Sequence, residues 1–142
     1  MMKKLKWLSV LLALMSFNAF ADGSKVALGG YCAVGFTGAK KAVFGDPQFT
    51  SEYKGKLYYL SSEGAKKMFD AEPEKFVAPI QFNGYCVTGL AMGKKIETDP
   101  KIFSIVEDKI YFFSSNEAKA IFEKNPKDYI AKADKNWKKF SK

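Results

Sequence analysis

The segment Gly84-Tyr85-Cys86-Val87-Thr88-Gly89 decides the fold of this chain, because the earlier segment Gly30-Tyr31-Cys32-Ala33-Val34-Gly35 repeats its pattern. The two segments hold the only cysteines among the 142 residues. Further matched segments are Lys40-Lys41 with Lys94-Lys95, Asp46-Pro47 with Asp99-Pro100, and 56–62 with 109–115. Self-similarity at a spacing of about 53 residues marks a duplicated structural unit. The sequence therefore predicts one domain made of two related halves, residues 30–76 and 84–129.

Each half has the pattern of a β-hairpin followed by a helix. Strands predicted over 49–53 and 56–60 flank the two-residue turn Lys54-Gly55, and strands over 102–106 and 109–113 flank Glu107-Asp108. Serine pairs after the second strand of each hairpin, 61–62 and 114–115, supply N-caps for the helices that follow. We expect an α+β fold in which two pseudo-symmetric β-hairpin-plus-helix repeats, related by an approximate two-fold axis, pack as one compact domain.

The second half continues into a predicted C-terminal helix. Tyr129, Ala133, Trp137 and Phe140 recur at helical spacing, and an apolar stripe of this period usually faces a core. We expect the helix to close the second half.

The first 21 residues have the pattern of a secretory signal peptide. Three lysines precede an apolar run from Trp7 to Phe17, and Ala19-Phe20-Ala21 is a small-x-small cleavage pattern. The run is shorter than the about 20 residues that span a bilayer. We expect a periplasmic or secreted protein whose single domain covers 22–142 and does not span a membrane.

The charged residues exclude several classes of function. All 23 basic residues are lysine, the net charge is +8, and the sequence contains no histidine. Without histidine there is no Ser-His or Cys-His catalytic pair and no imidazole ligand for a metal. Without arginine there are no bidentate forks for phosphate or guanine, so we expect no nucleic-acid partner. The acidic residues form no recognisable acid/base pair, and we expect no enzymatic activity.

The segment from Tyr53 to Phe76, with Lys56-Leu57-Tyr58-Tyr59-Leu60-Ser61-Ser62 at its centre, resembles the YHS domain. The second half, with Gly84-Tyr85-Cys86 and its ending 129–137, resembles the exported YHS-domain proteins of bacteria. YHS domains are related to the TRASH metal-binding domains, so the resemblance implies a metal-binding ancestry. Cysteines that many relatives carry after the second strand are replaced here by Ser61 and Ser114, which excludes a four-thiolate zinc site.

Cys32 and Cys86 stand at equivalent points of the repeat, so we expect them to meet where the halves join. One interpretation is a disulfide, which suits an even cysteine count in an exported protein. Another is a soft-metal site, most plausibly for Cu(I), with Cys32, Cys86 and the thioether of Met92 as ligands. A redox thiol pair is the third interpretation, although there is no C-x-x-C motif.

Two functions follow from these alternatives. The first is an exported YHS-type protein that binds a soft metal ion, most plausibly Cu(I), through the cysteine pair. The second is a non-catalytic module that binds a small ligand or a partner protein, with Cys32 and Cys86 as a structural or redox disulfide. The sequence leaves the oligomeric state open.

Cleavage of the predicted signal peptide after Ala21 gives a mature chain that begins at Asp22. N-terminal sequencing of the protein from the envelope or the medium of expressing cells checks this. A chain that begins at Met1 and stays in the cytoplasm would contradict the prediction of export.

Overall fold

A computed structural model describes residues 26–142, and the predicted signal peptide, residues 1–21, lies outside this range. In the first half the hairpin strands are β1 (Asp46–Tyr53) and β2 (Lys56–Leu60), followed by helices α1 (Glu63–Ala71) and α2 (Pro73–Val77). The second half contains α3 (Val87–Ala91), β3 (Asp99–Val106), β4 (Lys109–Phe113), α4 (Asn116–Lys124) and α5 (Pro126–Phe140). Short helical turns cover Ala27–Gly30, Gly35–Ala39 and Gln81–Gly84. Within 26–142 no helix is long and apolar enough to cross a membrane.

The two hairpins are antiparallel and have the same register. Ser51 pairs with Tyr58 in the first, and Ser104 pairs with Tyr111 in the second. Lys54-Gly55 and Glu107-Asp108 all have positive φ, as the two central residues of a type I′ turn require. The predicted hairpins and their turns are confirmed, and each first strand begins three residues earlier than predicted.

The duplicated sequence forms duplicated structure. Every strand of the second half, and the helix after its hairpin, begins 53 residues after its counterpart. The second serine of each pair is the N-cap: Ser62 accepts from the Ala65 N–H at 3.0 Å, and Ser115 accepts from the Ala118 N–H at 3.1 Å. The predicted α+β fold of two hairpin-plus-helix repeats is confirmed.

A polar cluster joins hairpin to helix in the first half. The Ser51 hydroxyl donates to the Asp70 carboxylate, while Lys66 Nζ donates to Ser51 Oγ at 3.0 Å and to Asp70 Oδ2 at 2.7 Å. The second half repeats the cluster: Ser104 Oγ donates to Glu123 Oε1 at 3.0 Å, and this carboxylate lies 3.8 Å from Lys119 Nζ. We name these two groups the serine–lysine–acid clusters.

Each half has its own hydrophobic core under its hairpin. In the first half the core is built on Tyr58, Leu60 and Phe69, and in the second on their counterparts Tyr111, Phe113 and Phe122. Tyr58 and Leu60, like Tyr111 and Phe113, alternate along the second strand of their hairpin, as expected for a strand with one face toward a core. Phe69 and Phe122 come from the helices α1 and α4.

A third cluster joins the two halves. The Phe36 ring, from the turn Gly35–Ala39, contacts Phe103 and Phe112 edge-on at centroid distances of 5.2 and 5.0 Å. Tyr31 and Ile110 complete the buried part of this cluster. The first half therefore packs on the outer face of the second hairpin.

The contact between the halves is not reciprocal among the described residues. The two-fold axis expected to relate the halves stays a prediction. A two-fold interface pairs each contact with its symmetric copy. The counterpart of Phe36 is Leu90, which lies instead in the core of the second half. Helix α5 packs on α3, and Asn136 Nδ2 donates to Leu90 O at 2.8 Å. This packing agrees with the prediction that the C-terminal helix closes the second half. Ala133 is buried in the second core, and Trp137 is half-buried beside it.

Replacing Ser51 with alanine is expected to lower the free energy of unfolding by about 1–2 kcal/mol, because Ser51 is buried and bonds a charged group. Ser104→Ala, at the more exposed counterpart, is the matched variant and should cost less. Chemical denaturation at neutral pH measures both losses. Equal losses at the two sites would contradict the difference in burial.

The first cluster also predicts a pH dependence. Hydrogen bonds from Lys66 and then Ser51 lower the pKa of Asp70 below its ordinary value of 3.8. The carboxylate therefore stabilises the fold above that ordinary value, and this contribution disappears as the pH falls through the lowered pKa. Asp70→Asn should reduce stability at neutral pH and converge on the parent protein in acid. If Asp70→Asn is still less stable than the parent protein in acid, the loss of stability comes from altered packing and not from the removed charge.

Candidate functional site

Both cysteines occupy equivalent backbone positions. Each follows a turn with left-handed residues, Leu28-Gly29 in the first half and Phe82-Asn83 in the second. Cys32 N donates to Val43 O at 2.8 Å, and Cys86 N donates to Ile96 O at 3.0 Å. Cys86 is the N-cap of α3, where its sulfur accepts from the Gly89 N–H at 3.5 Å.

The cysteines do not meet, so the expectation of a thiol pair at the junction is wrong. Both are free thiols, 0% and 1% exposed, and each belongs to the core of its own half. They are not near each other. The physical reason is the way the halves pack. Phe36 of the first half contacts the second hairpin, while Cys32 and Cys86 lie in the core of their own half.

Met92 does not join the thiols either. It is the C-cap of α3, at the opposite end from Cys86, and its side chain is 69% exposed. Among residues 26–142 no group of three or more cysteine, histidine or acidic side chains could hold a metal ion. The residues present therefore do not fit a site shared by Cys32, Cys86 and Met92. That Cys32, Cys86 or Met92 binds a metal ion separately from the other two stays a prediction.

A cleft of about 730 Å³ lies where the halves join. The first half contributes residues 26–29 and, from its hairpin, Gly55, Lys56 and Tyr58. The second half contributes Tyr85, the loop from Lys95 to Pro100, and Phe112. We name this space the inter-half cleft. Its volume lies within the range of small-molecule sites.

The walls of the inter-half cleft combine aromatic and charged groups. Lys95 Nζ lies 4.6 Å from the centre of the Tyr85 ring, within the range of a cation–π contact. Lys56 adds a second cation, and Glu97 also lines the cleft. Burial raises the pKa of Tyr58 above its ordinary value of 10.0.

Sequence reasoning missed this cleft, because its walls come from segments far apart in the chain. The apolar run Ile110-Tyr111-Phe112-Phe113 is typical of a strand that is buried on both faces, and all four residues are buried. The matching run Leu57-Tyr58-Tyr59-Leu60 is also apolar, but only Tyr58 and Leu60 are buried. The runs alone therefore do not reveal which hairpin is covered.

Because the thiols are buried and apart, the folded protein is expected to form no internal disulfide and to react slowly with a thiol reagent. Absorbance after addition of dithionitrobenzoate measures the rate, and the same assay in denaturant should release two equivalents rapidly. A folded monomer that is fully oxidised without reducing agent would contradict this arrangement.

Comparison with known proteins finds one match. Residues 40–79 match the family described as YHS domain. No curated protein and no solved structure shows significant similarity to the chain. Metal binding is attributed to this family, yet the matched residues contain neither cysteine nor histidine. The first hairpin, α1 and α2 thus form the part of this chain that matches the YHS domain.

Proposed function

We propose that this chain is an exported, non-catalytic binding protein whose ligand lies in the inter-half cleft. The observation that carries the proposal is the cleft itself, about 730 Å³ in volume and lined by both halves. Clefts between packed units that combine apolar walls with a few polar groups are the usual sites for small ligands. The predicted signal peptide supports export, and the lack of histidine supports a role without acid–base catalysis.

The lining favours a ligand with an apolar body and an anionic group. Tyr85 and Phe112 offer aromatic surface, while Lys56 and Lys95 offer two ammonium groups from opposite halves. Glu97 is the acidic group of the lining, so the cations are in excess. A carboxylate or sulfonate on a flat hydrophobic molecule would pair with the lysines while its body contacts the rings.

The test uses anilinonaphthalene sulfonate, an apolar dye with one anionic group. The folded protein is expected to bind about one dye in the inter-half cleft, with a saturable rise in fluorescence. The double variant Lys56→Gln, Lys95→Gln should bind about tenfold more weakly, because it removes both cations.

The repeat supplies a matched control for this experiment. Lys109 is the counterpart of Lys56, and Lys94 is the neighbour of Lys95; both are exposed and neither lines the cleft. The variant Lys94→Gln, Lys109→Gln removes the same charge and should bind the dye as the parent protein does. Equal weakening in both variants would show that the dye responds to net charge, and would overturn the cleft as the site.

A soft-metal function, most plausibly Cu(I) binding, is the second candidate. The match to a family with attributed metal binding favours it, as do two thiols in the reduced state. Because the thiols lie in separate cores, a joint site would require the halves to rearrange. Cu(I) on a single thiolate would instead need Cys32 or Cys86 to become accessible.

Titration of the reduced protein with Cu(I) against a chromophoric chelator tests this candidate. A rearranged joint site predicts one tight copper that is lost in both Cys32→Ser and Cys86→Ser. Independent thiols predict weak binding that each variant halves. Copper binding that persists in the double variant Cys32→Ser, Cys86→Ser would show that neither cysteine is a ligand.

A further inference from the structure

The C-terminal segment accounts for most of the net positive charge of the described residues. Residues 126–142 contain six lysines and two aspartates, a net charge of +4. Residues 26–142 contain nineteen lysines and fourteen acidic residues, a net charge of +5. The charge is therefore concentrated on one element, α5 and the two residues that follow it.

The lysines of this segment lie on one side. Helix α5 packs against α3 and the second core through Ala133, with Tyr129, Ile130 and Trp137 half-buried beside it. At 3.6 residues per turn the opposite side consists mainly of lysines. Lys132 is exposed there as well and pairs with Asp128. We name the other exposed lysines of the segment the basic face: Lys127, Lys135, Lys138, Lys139 and Lys142.

The basic face is not neutralised within the protein. Of the lysines in 126–142, only Lys132 forms a salt bridge among the described residues, with Asp128 at 2.9 Å. The helix dipole favours cations in the last turn, which accounts for Lys138 and Lys139. That effect is confined to the last turn and does not account for Lys127 or Lys135. An unneutralised row of cations is the footprint of an anionic partner.

We propose that the basic face docks on an anionic lipid surface. Lysines in a row on a solvated helix side suit a headgroup plane, where the cations meet lipid phosphates. Lysine is a flexible point charge, while the bidentate geometry that selects one acidic protein surface needs arginine, which this chain lacks. This role is separate from ligand binding in the inter-half cleft.

Sedimentation with lipid vesicles tests the proposal on the protein as it is purified from expressing cells. It is expected to bind vesicles of phosphatidylglycerol and phosphatidylcholine, to bind phosphatidylcholine vesicles far less, and to dissociate as salt is raised. The variant Lys135→Gln, Lys138→Gln, Lys139→Gln should bind the anionic vesicles about a hundredfold more weakly.

The matched control removes three exposed lysines elsewhere, Lys40→Gln, Lys41→Gln, Lys109→Gln, and should bind as the parent does. All variants carry the same N-terminus, and thermal melts confirm that they are folded. Equal weakening in the control variant, or equal binding to both kinds of vesicle, would overturn the proposal. Tight binding to polyglutamate without binding to vesicles would assign the face to an acidic protein and would also overturn it.

Discussion

The arrangement of the whole molecule depends on the contact between Phe36 and the outer face of the second hairpin. The Phe36 ring meets Phe103 and Phe112 edge-on, and it is fully buried there. Phe112 also lines the inter-half cleft, so the contact that joins the halves helps to fix one wall of the cleft. A buried phenylalanine contributes several kcal/mol, on the order of 3–5 when it is truncated to alanine. The position of the cleft walls is therefore tied to a large part of the stability.

The sequences of the two hairpins are consistent with this one-sided contact. Residues that pair directly across an antiparallel hairpin share a face. In the second hairpin the pairs Phe103–Phe112 and Ile105–Ile110 form an apolar outer face, which the first half covers. The corresponding pairs of the first hairpin are Thr50–Tyr59 and Glu52–Leu57, which give a partly polar face suited to solvent. The duplicated unit has diverged where the two copies have different neighbours.

Local features could be predicted from the sequence, and the meeting of the halves could not. The turn Lys54-Gly55 and the caps Ser62 and Ser115 depend on a few neighbouring residues, so they follow from residue type. The pairing of Cys32 with Cys86 assumed that equivalent residues meet, which holds only for a reciprocal interface. The serine–lysine–acid clusters could have been predicted by comparing the halves, because their members have the same spacing in both. Within one half alone, nothing distinguishes these side chains from solvated charges.

The segment after each cysteine has different neighbours in the two halves. The turn Gly35–Ala39 packs on the second hairpin and on α2, and its counterpart α3 packs on α5. Helix α5 covers α3 much as a capping element covers a unit of a repeat protein. A capping element needs one apolar side and one solvated side. Ala133 and Trp137 provide the first, and the solvated side is free to carry the lysines that account for most of the net charge of residues 26–142.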